Sequence, residues 1–163
     1  MTKRRDDKSV IEASDRSRVI WYFIFIVYLA IVLFVLVDFT KPNVAYENTI
    51  NLEVFKEIRR SINMLQTGSG RIWAIRNLFG NIGIFVPFGF IFPFITNRRL
   101  TSIKTALAAI VTVSGIEVYQ WLSKTGIFDV DDFILNWTGV LIGWLLYKVV
   151  AAISTRARRR SDD

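Results

Sequence analysis

The sequence predicts an all-α, polytopic membrane protein: four transmembrane helices plus an amphipathic surface helix in the first outer loop. Three observations carry that prediction. Just over half of the 163 residues are apolar, and they gather into four long blocks. Those blocks are apolar all round, whereas a soluble core helix shows a single apolar stripe. The basic residues flank the blocks instead of forming a domain of their own, as expected of charges that orient a chain in its bilayer.

The first block, 19–37, runs for 19 residues without a charge. At about 1.5 Å per residue it spans roughly 28 Å, close to the hydrocarbon thickness of a bilayer. A cleaved signal peptide would have a shorter apolar stretch and small residues after it, and Val37-Asp38-Phe39-Thr40 offers neither feature. Residues 1–18 are charged and polar and read as a mobile cytoplasmic tail. Lys41-Pro42-Asn43 then signals a turn. Beyond it Phe55, Ile58, Ile62 and Leu65 recur at helical spacing, with Glu57, Arg59 and Arg60 on the other faces. That spacing predicts an amphipathic helix over about 51–66, lying on the membrane or lidding the bundle. Thr67-Gly68-Ser69-Gly70 ends it, and Trp73 suits a headgroup-level anchor.

The second span, 78–95, carries Gly80, Gly83, Pro87, Gly89 and Pro93, so it should be kinked and closely packed. A basic turn, Asn97-Arg98-Arg99, leads to the third span, 105–122. A compact loop with three aspartates precedes the fourth, 133–153, and a basic tail follows over 154–163. Gly139 and Gly143 give the fourth span a small-xxx-small face, read as packing within the chain in preference to a dimer seam. Fourteen Lys and Arg residues fall on the side of the two tails, against seven on the other. Both termini are therefore expected in the cytoplasm of a multi-pass cell-membrane protein.

The net charge of +7 does not point to nucleic acid, because it belongs to this orienting pattern. The chain has no Cys and no His. Disulfides, Cys/His zinc sites, thiol nucleophiles and His-based triads are thereby excluded.

Three pairs of polar residues stand in the apolar spans or at their starts. Asn77 and Asn81 share one helix face, as do Glu117 and Gln120, and Asp132 and Asn136. The topology places all three pairs at one depth in the outer third of the membrane, with Glu117 roughly 7 Å from its helix end. A carboxylate there costs about 2.5 kcal/mol or more to insert and needs a partner. Arg71 and Arg76 are candidate partners, beside the amides of Asn81, Gln120 and Asn136. Two readings stand together: a polar network holding helices in register, or a ligand site built on Glu117 and Asp132. For Asp129 and Asp131, turn formation is a sufficient account. No resident cofactor is expected, although such oxygens suit Mg²⁺ or Ca²⁺ bridging to a lipid phosphate. Glu117 and Asp132 are also the candidates for a catalytic acid and base.

Two stretches resemble the VanZ family of bacterial membrane proteins. The first is Asn77-Leu-Phe-Gly-Asn81 with Phe85-Val-Pro87-Phe-Gly89 and Pro93, similar to the family's N-x-x-G-N, F-x-P-x-G and later Pro. The second is Glu117-x-x-Gln120 with Phe128-Asp129-Val130-Asp131-Asp132 and Asn136-x-x-Gly139, similar to its E-x-x-Q and F-D-x-D-D-x-x-x-N-x-x-G. A third, at Asn51-Leu52 and Phe55, departs from N-L-x-P-F by placing Val54 where the family tends to have Pro. Gly126 stands where some members have Arg, which removes one cation from the pocket. The resemblance covers 19–153 and implies a four-helix protein of the cell envelope linked to resistance to teicoplanin-type glycopeptides.

Together these readings lead to an outward polar pocket for an amphiphile or anionic headgroup. Asn77, Asn81, Glu117, Gln120, Asp129, Asp132 and Asn136 would form it, with Arg71 or Arg76 answering an anion. The expected partners are membrane lipids, a lipid-linked cell-wall precursor or a lipoglycopeptide, and no nucleic acid. Binding is favoured over catalysis. Its rivals are a metal-assisted or acid/base enzyme acting on a lipid-linked substrate, and a structural partner in an envelope complex.

Overall fold

A computed structural model describes the backbone of residues 3–39, 50–96, 101–123 and 127–162. Within these it describes the side chains of 17–35, 50–96, 102–123 and 127–154. The elements are α1 (Lys3–Phe39), β1 (Ile50–Asn51), α2 (Lys56–Thr67), α3 (Arg71–Ile75), a π turn (Arg76–Gly80), α4 (Asn81–Ile95), α5 (Thr101–Leu122), β2 (Phe128–Asp129) and α6 (Val130–Asp162). Four helical segments are long and apolar enough to cross a membrane: Ser17–Val35, Arg71–Ile95, Ser102–Leu122 and Val130–Ser154. The chain is a multi-pass, all-α membrane protein. With four crossings, its two ends lie on one side and α2, β1 and β2 lie at the other, the loop end.

Several boundaries differ from the sequence expectation. α1 begins at Lys3, so a helix replaces the unstructured tail expected over 1–18. No Gly or Pro stands between Lys3 and Phe39, and a helix once nucleated propagates until something stops it. The same holds for α6, which continues through the basic residues to Asp162. α2 starts at Lys56 instead of near 51, because Asn51 sits in β1 and Phe55 turns the chain with a φ of 65°. The second span starts at Arg71, seven residues early, and passes through both Pro87 and Pro93. The turns expected at Lys41-Pro42-Asn43 and Asn97-Arg98-Arg99 lie outside the described residues.

α4 is the centre of the bundle. Phe85, Phe88, Ile91 and Ile95 on it form the core with Phe25 of α1, Ala109 and Val113 of α5 and Val140 of α6. α1 leans on α4 through rings: Trp21 stacks on Phe94 at 4.2 Å, and Phe25 meets Phe88 edge-on at 5.4 Å. Tyr28 also donates its hydroxyl hydrogen to the Ile84 carbonyl at 2.7 Å. Most other apolar side chains of α1, Phe23, Ile26 and Phe34 among them, are exposed, as a lipid-facing surface requires.

α4 and α6 meet backbone to backbone. A Cβ on Gly139 would run into the Ile82 carbonyl oxygen, one on Gly143 into that of Val86, and one on Gly89 into that of Val140. The small-xxx-small face is therefore spent inside the chain. Close approach of this kind substitutes for the hydrophobic drive that lipid cannot supply between helices. Gly143→Val is expected to force α4 and α6 apart and cost ~3 kcal/mol, read as a lower unfolding midpoint in mixed micelles. An unchanged midpoint would overturn the contact.

Candidate functional site

At the loop end, two short parallel strands pair Ile50 with Phe128 and Asn51 with Asp129. This bridge brings the first loop onto the start of α6. Asp129 accepts from the Asn51 side-chain amide at 2.9 Å through Oδ2 and from the Asp131 N–H at 2.8 Å through Oδ1. It thus acts as the N-cap of α6, satisfying one of the donors that a helix start leaves open.

Asp131 is fully buried and does more than shape a turn. Its Oδ1 accepts the Phe55 N–H at 2.5 Å, and its Oδ2 accepts those of Glu57 at 2.8 Å and Ile58 at 3.1 Å. α2 has no cap from its own Phe55 side chain. A carboxylate more than seventy residues away supplies that cap, and its charge also suits the positive end of the helix. Phe55 holds a left-handed backbone that bulky residues avoid, and its bond to Asp131 keeps it there.

Asp132 collects the amides expected at its depth. Asn81 donates to its Oδ1 at 2.6 Å and Asn77 at 3.3 Å. Asn77 in turn accepts from the buried hydroxyl of Ser61 on α2 at 3.1 Å. Asn77 lies in the π turn, one wide turn before Asn81. Such turns recur at functional sites, and the sequence pattern carries no sign of this one.

Glu117 stands apart. It is 2% exposed, on α5, and its Oε1 accepts from the Asn136 side-chain amide at 3.3 Å. Its Oε2 and the Asn136 Oδ1 are buried with no hydrogen-bond partner. Gln120 is half-buried one turn further along α5. The backbone N–H of Asp129 and the carboxylates of Asp132 and Asp129 also act on Glu117.

The arginines go elsewhere. Arg71 is exposed and donates to the Leu65 carbonyl at 3.4 Å, while Arg76 is exposed on the π turn. The two ion pairs described, Lys56–Glu53 and Arg60–Glu57, are surface i,i+3 pairs on and beside α2. Among the described residues, no basic side chain pairs with Glu117, Asp129, Asp131 or Asp132. The buried side-chain atoms left open among the described residues are the Glu117 Oε2 and Asn136 Oδ1 oxygens and the indole N–H groups of Trp121, Trp137 and Trp144. Among the described residues no three acidic side chains group as metal ligands do. Two open oxygens also fall well short of the six or more that Ca²⁺ takes.

A cavity of about 200 Å³ opens between α5 and α6. Ser102, Thr105 and Ala106 of α5 and Trp137, Val140, Leu141 and Trp144 of α6 line it.

A family model described as VanZ/LLP1 matches residues 19–151, from the first span almost to the end of the fourth. The chain belongs to the VanZ/LLP1 family. No curated protein and no solved structure matches it. The match takes in every residue of this VanZ-like site, from Asn51 to Asn136, and leaves outside it the first 18 residues and the basic C-terminal end.

Of the polar residues expected in one pocket, Asn77, Asn81 and Asp132 meet directly, and Glu117 meets Asn136. Asp131 is the residue that sequence reasoning passed over. Its only earlier sign was its place in the F-D-x-D-D motif, because its partners are backbone N–H groups, which leave no mark in a sequence.

Proposed function

We propose that this VanZ-like protein binds the headgroup of an amphiphile on the outer face of the cell membrane, and so contributes to protection against teicoplanin-type glycopeptides. The observation that carries the reading is the buried Glu117–Asn136 pair with one unpaired oxygen on each residue. Buried polar atoms are paired in nearly all folded proteins, so two open acceptors side by side favour a ligand that brings donors. The excess of Lys and Arg on the side of the termini supports placing the loop end outside.

The site's own chemistry narrows the ligand. An anionic headgroup would meet Asp129, Asp132 and Glu117 with no basic side chain paired among them. A headgroup carrying ammonium, hydroxyl or amide hydrogens fits the two acceptors better. Asp129, Asp131, Asp132 and the two asparagines on the second span then act as the frame that fixes the loop over the site.

The test is antibiotic susceptibility in a host lacking any VanZ-like gene, comparing wild type with Glu117→Gln and Asp132→Asn at matched membrane abundance. Protection against teicoplanin but not against vancomycin, which has no lipid tail, is expected of the wild type. Glu117→Gln should abolish it at normal abundance. Protection that persists in Glu117→Gln would make the pair a helix-to-helix fastening and nothing else.

A further inference from the structure

The second span carries a charge on its lipid-facing side. At about 3.6 residues per turn, Ala74, Asn77 and Asn81 share the face turned to the bundle. Ala74 is fully buried there, and the two asparagines reach Ser61 and Asp132. Ile72, Ile75, Arg76 and Phe79 fall on the opposite face, and all four are exposed. Arg76 thus stands in an apolar stripe, five residues into the membrane-crossing segment Arg71–Ile95. The helix rise puts its Cα roughly 7 Å below the loop end. An arginine facing hydrocarbon is costly unless its guanidinium finds water or an anion. Among the described residues no carboxylate pairs with it, since the two ion pairs there belong to Lys56 and Arg60.

The direction of the side chain decides which anion it meets. Every Cα–Cβ bond of a helix tilts toward the helix N-terminus, and the N-terminus of this span is the loop end. Arg76 is thereby aimed at headgroup level, the level that Trp73, exposed three residues earlier, also suits. Its apolar stem lies along the stripe while its charge reaches the interface. Lys148 gives the contrast. It stands toward the far end of Val130–Ser154, where the same tilt points away from the nearer surface, and its ammonium lies over the Trp144 ring at 5.1 Å. At headgroup level a guanidinium meets phosphate, whose oxygens match its planar fork of donors.

We propose that Arg76 binds the phosphate of a phospholipid in the leaflet at the loop end, with Ile72, Ile75 and Phe79 against the acyl chains. The anion that Arg76 answers then comes from the bilayer, not from the bundle interior. The bound phosphate sets the depth of the π turn, and with it the depth of Asn77, the next residue. This site does not rest on the reading of Glu117 and Asn136 above.

The chain has no cysteine, so Ile72→Cys supplies a single thiol one turn before Arg76. The full-length protein, labelled there with bimane, would be kept in dodecyl maltoside, a detergent without phosphate. The probe is phosphatidylcholine with a nitroxide on its headgroup, which quenches bimane at short range. Saturable quenching is expected. Excess unlabelled phosphatidylcholine should reverse it, and diacylglycerol, which has the chains without the phosphate, should not. Arg76→Gln should raise the half-saturating concentration about tenfold, the worth of one hydrogen bond between charged groups. Arg76→Lys keeps the charge without the fork and should fall between.

Quenching that grows in proportion to the probe without saturating would overturn the site. Equal reversal by diacylglycerol would mean that the apolar stripe alone recruits lipid, and would overturn the phosphate. Reversal by inorganic phosphate at the same concentration would mean that a soluble anion occupies the position, and would overturn the lipid. A half-saturating concentration unchanged in Arg76→Gln would assign the binding to another part of the surface and remove Arg76 from it. None of these outcomes touches the susceptibility test of Glu117→Gln, so the two readings fail separately.

Discussion

Asp131→Ala is expected to free the start of α2 from the rest of the protein. The substitution removes the acceptor of three backbone hydrogen bonds at once, from Phe55, Glu57 and Ile58. Each bond to a charged acceptor contributes about 1.5–3 kcal/mol net, but a released helix start regains part of that from water. A loss of ~3 kcal/mol for local opening is the balance. It corresponds to roughly a hundredfold rise in the population of the open loop. Hydrogen exchange over residues 55–60 should speed up by that factor, and trypsin should cut after Arg59 or Arg60 correspondingly faster. Asp131→Asn, which keeps one acceptor oxygen, should fall between. Exchange at the wild-type rate in Asp131→Ala would remove the long-range cap.

Asp132→Leu is expected to be nearly as damaging, for a different reason. It spares the membrane a carboxylate, which is a gain in desolvation. It also leaves the side-chain amides of Asn81 and Asn77 without the oxygen they share, and Asn77 is already committed to Ser61. Unpaired buried donors cost about 1–3 kcal/mol each, so a net loss of ~3 kcal/mol in the unfolding free energy is expected. The decisive measurement is the double-mutant cycle with Asn81→Leu. If the 2.6 Å bond matters, the double variant should be more stable than the sum of the single losses by at least ~1.5 kcal/mol. Strict additivity would show that the two side chains lie close without being coupled.

These two aspartates also show what was legible in the sequence. The convergence of Asn77, Asn81 and Asp132 could be read in advance, because each pair repeats at helical spacing and the bilayer forces polar groups at one depth to find one another. The buried position of Glu117 followed from the same cost. The role of Asp131 could not be read, because a backbone N–H is present at every residue and marks none. The π turn was hidden for a related reason: Arg76-Asn-Leu-Phe-Gly80 is compatible with an ordinary helix, and tertiary contacts select the wider winding. Arg71 and Arg76 pair with none of these carboxylates among the described residues. They stand near the site in sequence, yet the helix that begins at Arg71 leaves both exposed. The tails misled by composition, since charge alone does not stop a helix.

The partnership of Asn51 with Asp129 spans 78 residues of chain and sets an order of events during synthesis. At about 5–20 residues per second, the ribosome needs roughly 4 to 16 seconds between making the one and making the other. Through that interval the first loop exists without the residues that will clasp it. α2 has no cap, Phe55 has no reason to keep its left-handed turn, and the second span waits with Asn77 and Asn81 unanswered. The arrival of a single stretch, Phe128 to Asn136, closes all of these together. The last span is thus the latch of the whole assembly, and a nascent chain truncated before it leaves the earlier loop open to proteases.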